Sequence, residues 1–214
     1  MTQNQLGGEM HQNMHTGSVP PTMNHGGHEL FDVHEVLSSA IAGLNQAMIL
    51  RPHVKDPELL DILDRQYRFA MDEYNITVEC FKTGQDPSHP TGSYKMKQSN
   101  DFIYGMKQSQ PKKPMQNSNE ITDEMISGFL LGSAKANATG KTAAALETCN
   151  PVVRRVLQDS IPNCIEMAYE LALYQNKHHY YQVPQLAQQD MQQLVNSYAS
   201  AQGQPALPPN QQLQ

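Results

Sequence analysis

Three sets of residues in this chain are of types that bind metals or move protons: the pair His34-Glu35, the acids Asp72, Glu73 and Glu79, and the group Glu166, Glu170 and His178. Each lies in a segment with helical periodicity, so the nearest chemistry is a carboxylate-bridged di-iron or di-manganese centre. Such a centre takes a Glu from each of two helices and a Glu-x-x-His from each of the other two, because a spacing of three turns both ligands to one inward face. The pairs are missing. Asp72, Glu73 and Glu79 share their segment with no histidine, Glu166 is followed at three by Tyr169, and His178 stands eight residues beyond Glu170. The sequence therefore predicts no catalytic residue, no metal ligand set and no cofactor. A mononuclear site built on His34 and Glu35 competes with a plainer reading, in which His34 is a core residue satisfied by one hydrogen bond.

Other chemistries fare no better. His11, His15, His25 and His28 alternate with Met10, Met14 and Met23 near the N-terminus. These are competent soft ligands, yet no rigid spacing fixes a geometry for them. No G-x-S-x-G elbow is present, and Cys80, Cys149 and Cys164 form no CxxC pair, so they read as reduced, small hydrophobes. The Gly-Lys-Thr at 140–142 lacks the first glycine of a phosphate loop and sits inside a helix pattern, which makes it chance.

The elements that must position these residues are helices. Residues 1–27 are rich in Gly, Gln, Asn, Met and His without periodicity and read as a disordered arm. A helix follows from about His28 to Leu50, with Leu30, His34, Leu37, Ile41, Leu44 and Met48 on one face. Pro52 ends it, Asp56 caps the next helix and Pro57 opens it. That second helix runs to about Thr83 on the line Leu60, Leu63, Tyr67, Ala70, Tyr74, Val78 and Phe81, with Gly84 as its left-handed cap. Residues 85–119 are a Pro-, Ser- and Gln-rich linker. A third helix spans about 121–148 and a fourth about Pro151 to Lys177, the latter on the stripe Val153, Val156, Ser160, Cys164, Met167, Leu171, Tyr174 and His178, with Pro162 inside it. A short amphipathic piece from about Gln185 to Tyr198 is expected to dock on the bundle, ahead of a disordered tail over 200–214.

Two helical hairpins joined by a long crossover make an all-α, ferritin-like four-helix bundle with a short C-terminal helix. Three glycines interrupt the third helix, each at a cost of about 1 kcal/mol relative to alanine. Gly128, Gly132, Ala136, Gly140 and Ala144 are spaced by four, so they are expected to form a flat side on which a neighbouring helix packs closely, within the chain or from a second copy. The linker holds a short repeat, YKMKQS from Tyr94 and YGMKQS from Tyr104.

Bulk properties remove whole classes of partner. A formal charge of -6 and a pI near 5.8 speak against nucleic acid, whose affinity comes from Lys and Arg displacing counterions. The N-terminus carries neither a basic region nor an apolar run, and no stretch suits a bilayer, so a signal peptide and membrane insertion are not expected.

The second hairpin resembles the coat F domain of the spore coat protein F family of endospore-forming bacteria. The resemblance rests on the small-residue run Ala143 to Glu147, the Asn150-Pro151 turn, and the aromatic exit Tyr180-Tyr181 with Pro184; HELFDVHEVL and KDPELLDIL look like the family's N-terminal half. It covers roughly residues 28–185 and brings no catalytic motif, while Pro162 and the extended linker depart from it. The resemblance implies a ferritin-like bundle without the metal centre. It also implies a non-enzymatic structural or assembly role in the spore, in the coat or forespore, with other spore proteins or copies of itself as partners. On that reading Tyr94, Lys97, Gln98, Tyr104, Lys107 and Gln108 are candidate cross-linking handles. The alternatives are a metal-binding ferritin-like protein, enzyme or store, and a small-molecule-binding bundle, which needs an internal cavity that periodicity does not reveal.

Overall fold

The computed structural model describes residues 20–206, so most of the arm and the last residues of the tail lie outside it. Among the described residues the regular structure is all helical: α1 (Gly27–Leu50), α2 (Pro57–Thr83), α3 (Asp123–Glu147), α4 (Pro151–Lys177) and the short α5 (Gln188–Val195). Their ends follow from local chemistry. The Asp56 carboxylate accepts from Glu58 N at 2.8 Å with Pro57 in the first turn, and Gly84 at φ 66 closes α2 by returning its N–H to Cys80 O, a conformation that costs glycine little. Asn150 caps α4 through Val152 N and Val153 N at 2.9 and 3.1 Å. The helix then continues through Pro162 to Lys177.

The four long helices pack α1 on α2, α2 on α4, α4 on α3 and α3 on α1. Lys55 N, just before α2, bonds Asp123 at the start of α3. Gly84 O, just past α2, accepts from Asn150 at the start of α4. Residues 85–122 must therefore cross the full length of the helices. Apolar side chains gather in two clusters, one around Val33, Ile76, Val153 and Leu157, the other around Leu59, Ile62, Ile126, Leu171 and Tyr174.

The α4 stripe expected from the sequence is the observed one: Val153 through Tyr174 are buried and His178 is half-buried. On α1 and α2 the buried faces are rotated from those expected. In α1 the inward residues are Glu29, Val33, Val36, Leu44, Ala47 and Leu50, while Leu30, His34, Ile41 and Met48 are exposed. His34 is therefore a surface residue and not a core histidine. In α2 the inward face includes Gln66, Glu73 and Thr77, and Tyr67, Ala70 and Tyr74 stand at its half-buried edge. A hydropathy line avoids polar positions, so it swings away from a face that buries them. His25, placed in the arm by its composition, pairs through Nδ1 with the Glu29 carboxylate at 2.6 Å and meets Phe81 edge-on. The short α5 buries none of its residues, so the expected docking on the other helices is not observed.

The small-residue line on α3 also needs correction. Gly128, Gly132 and Ala136 are exposed, Gly140 is half-buried and only Ala144 is fully inside. With 3.6 residues per turn, steps of four drift by about 40° each, so the line wraps from the α4 side, across solvent, to the α1 side. A Cβ added at Gly132 meets nothing within 4 Å. The close approach is elsewhere: a Cβ on Gly43 of α1 would lie 2.7 Å from Ser133 Oγ of α3. Two substitutions of one type therefore differ in size. Gly132→Ala raises stability by about 0.5–1 kcal/mol, whereas at Gly43 the same helix gain is offset by displacing Ser133 Oγ, so Gly43→Ala raises the urea midpoint less than Gly132→Ala does.

Candidate functional site: a buried charge layer and a strap

Between the two apolar clusters lies a layer of buried polar groups contributed by α2, α3 and α4. Glu73 on α2 is its first centre. Its Oε2 accepts from Lys141 Nζ at 2.8 Å and its Oε1 from Asn163 Nδ2 at 2.7 Å, and the two charged side chains are 4% and 8% exposed. Burial alone would lower the Lys141 pKa, but the facing Glu73 charge, with the Cys164 sulfur, holds it above the usual lysine value. The ammonium is thus kept charged inside the protein.

Glu170 on α4, with no exposed surface, is the second centre. It takes Arg65 Nη2 at 2.7 Å and Gln66 Nε2 at 3.0 Å from α2, and the Tyr94 hydroxyl and Lys97 N, at 3.1 Å, from the crossover. Both oxygens of this inward acid are thus occupied by donors of the same chain.

The crossover is accordingly a strap. Asn163, Glu170 and Asn176 lie along α4, and each bonds its backbone: Asn163 takes Tyr94 N at 2.8 Å and gives to Gly92 O at 2.9 Å. Asn176 takes Ile103 N at 2.6 Å and gives to Ile103 O at 3.0 Å. Further along, Tyr104 pairs with Val183 in a single parallel bridge, and Gln182 exchanges bonds with Lys107 N and O. The linker is thus bonded to α4 and to the aromatic exit over most of the repeat. The two repeat copies differ in setting: Tyr94 is 6% exposed and Tyr104 63%.

The sequence pattern rules out Glu73 and Glu170 as members of a Glu-x-x-His ligand set but does not reveal Lys141, Asn163, Gln66 and Arg65, which answer them. The signal available for Lys141 and Asn163 was their placement at inward positions of α3 and α4. His34 and Glu35 are both exposed and form no site. At one end, Asp56, Glu58 and His178 bring ligand atoms within 4.8 Å of one another. Asp56 already takes the Tyr174 hydroxyl at 2.9 Å and Glu58 the Lys177 ammonium at 2.6 Å, so this group too is used within the chain. Cys80 and Cys164 are buried free thiols and Cys149 an exposed one.

Burial drives the Cys80 thiol pKa up to about 12. It also raises the Tyr94 and Tyr174 hydroxyls, aided by the hydrogen bonds to Glu170 and Asp56. In the unfolded chain these groups ionise near 8.5 and 10, whereas in the folded protein they keep their protons. The stabilisation is complete below about pH 8.5 and is lost as pH climbs toward 12, by roughly 1.4 kcal/mol per pH unit for each group past its unfolded pKa. Urea midpoints measured from pH 8 to 11 are expected to fall steadily, and less so in Cys80→Ala.

Residues 122–184 match the family model described as the Coat F domain. Over 186 residues, 87% of this chain and 85% of the relative, the sequence is 58% identical to the spore coat protein F-like protein YhcQ of Bacillus subtilis strain 168. No solved structure matches the chain. At that identity over most of its length, the chain belongs to the spore coat protein F family.

Proposed function

We propose that the protein is a non-enzymatic structural or assembly component of the bacterial spore coat, built as a ferritin-like four-helix bundle whose interior serves cohesion in place of chemistry. Family membership is the observation that carries the role. The buried layer supports its non-enzymatic part. The inward acids of α2 and α4 have their charges taken up by Lys141 and Arg65 of the same chain, so the positions that metal-binding bundles give to ligands are spent on holding helices and strap together. Among the described residues no helix is long and apolar enough to cross a membrane, which agrees with assembly on protein partners.

A fluorescent fusion followed through sporulation tests the role: the expected signal is on the forespore and then the coat, and a signal confined to vegetative cells contradicts it. Elemental analysis of purified protein tests the metal-free interior. Near-stoichiometric iron or manganese contradicts that part.

If the linker repeat is cross-linked in the coat, the second copy carries it. Tyr104 is exposed, as are Lys107 and Gln108, whereas Tyr94 is enclosed under Arg65 and bonded to Glu170. Lys97 and Lys107 are both exposed, each with its ammonium bonded, to Asp61 and to His179 respectively, so the tyrosines are what separate the two copies. Peptide mapping of insoluble coat material is expected to recover the Tyr94 peptide in linear form and to deplete the linear Tyr104 peptide.

A further inference from the structure

The charge layer does not fill the centre of the helices. Beside it lies a cavity of about 100 Å³ bounded by α1, α2, α3 and α4. Small residues leave the space: Ala40 and Gly43 from α1, Ala70 from α2, and Ser133 and Ala134 from α3 all line it. Leu44, Leu63 and Met167 supply apolar walls, each less than one-tenth exposed. Gly43 against Ser133 closes the α1–α3 side. The half-buried Tyr67, Ala70 and Tyr74 on α2, facing Leu37 and Ala40 on α1, form the rim. The cavity is therefore mostly apolar around its sides, with Gln66, Thr77, Ser133 and Asn137 as the polar groups among them, and its half-buried rim lies between α1 and α2.

Its deep wall is polar. Lys141, Glu73 and Cys164 all line it, and Lys141 is 7% exposed. An ammonium has three donors; Glu73 takes one at 2.8 Å, and the neighbouring Cys164 thiol offers only a weak acceptor. An oxygen at the head of a guest is a stronger acceptor for a remaining proton. Charge sets a further restriction. Glu73 and Lys141 neutralise each other, so a carboxylate entering the cavity meets the Glu73 charge as well as Lys141, and a cation meets Lys141; both also lose their hydration. Size sets the last. An enclosed apolar cavity of about 150 Å³ holds a benzene-sized guest, and here a smaller volume is extended by an open rim flanked by two tyrosine rings.

We infer that this cavity is a binding site for a small, uncharged, largely apolar molecule of about one ring in size, which presents a single hydrogen-bond acceptor to Lys141. The site is independent of the coat role: either stands without the other.

Methyl NMR on the full chain tests it, with benzyl alcohol, toluene, benzoate and benzylammonium as probes at up to about 10 mM, a range that reports millimolar affinities. Benzyl alcohol is expected to shift the methyl signals of Ala40, Leu44, Leu63 and Met167. Toluene, of similar shape but without the acceptor, should bind more weakly, and the two ions at least about tenfold more weakly. Ala70→Leu fills the cavity from α2 and Ala40→Leu from α1, and either folded variant should lose the shifts. The inference is overturned if none of the probes moves those methyls in the unsubstituted chain, if toluene binds as tightly as the alcohol, if benzoate or benzylammonium does so, or if a folded filled variant binds unchanged.

Discussion

Glu170→Ala lowers the unfolding free energy by about 3–5 kcal/mol and frees the crossover for proteolysis. The substitution removes the partner of Arg65, whose side chain is only 15% exposed, and leaves Gln66 Nε2 with Met167 O alone. Breaking one side of a buried ion pair costs that much because the surviving charge stays where water does not reach it. Arg65 keeps its bond to Asp61 at 2.7 Å, which places the expected loss toward the lower end. The strap loses the acceptor for Lys97 N and for the Tyr94 hydroxyl, so trypsin should cut after Lys95 or Lys97 in the variant before it cuts any of the long helices. Glu170→Gln retains an acceptor and the side-chain volume, and it is expected to lose less than half as much stability. Urea denaturation and timed digestion check both outcomes.

Lys141→Met is the second large effect. It leaves Glu73 buried with only Asn163 as a donor, and the expected loss is again about 3–5 kcal/mol. Pairing it with Glu73→Leu is diagnostic, because replacing both members of a buried pair by apolar residues of similar volume is often neutral or better. The double variant should recover at least half of the loss. Non-recovery would show that Lys141 holds the interior through something other than Glu73. Circular dichroism melts of the two single variants and the double one complete the cycle.

How much of this was legible beforehand varies by element. Helix ends were, because Asp56-Pro57, Gly84 and Asn150-Pro151 act locally and each is a short-range signal of known stereochemistry. The α4 stripe was, because Val153, Val156, Cys164, Met167, Leu171 and Tyr174 recur on one face with helical spacing. The inward faces of α1 and α2 were not, since Glu29, Gln66 and Glu73 sit where periodicity expects oil. A buried carboxylate is stable only if a donor from another helix meets it, and that meeting is long-range: Lys141 lies 68 residues from Glu73, and Arg65 lies 105 from Glu170. The strap was illegible for the same reason, as its partners are side chains of α4 bonding its backbone, which leaves no pattern in the strap's own composition. The glycines of α3 misled because a spacing of four looks like one face over two steps and drifts off it over four.

Glu29 sits in the first turn of α1, yet its Oε2 accepts from Cys149 N at 2.9 Å and Asn150 N at 3.0 Å, where α4 begins. The carboxylate thus sits against the positive end of a helix dipole belonging to the other hairpin. Together with Arg65, Gln66 and Tyr94 on Glu170, and Glu73 on Lys141, it means that the stretch covered by the Coat F domain, residues 122–184, depends at both its turn and its middle on groups supplied by earlier residues. The segment that the family model matches, about a third of the described residues, is therefore tied at its turn and at its middle to side chains of α1, α2 and the strap.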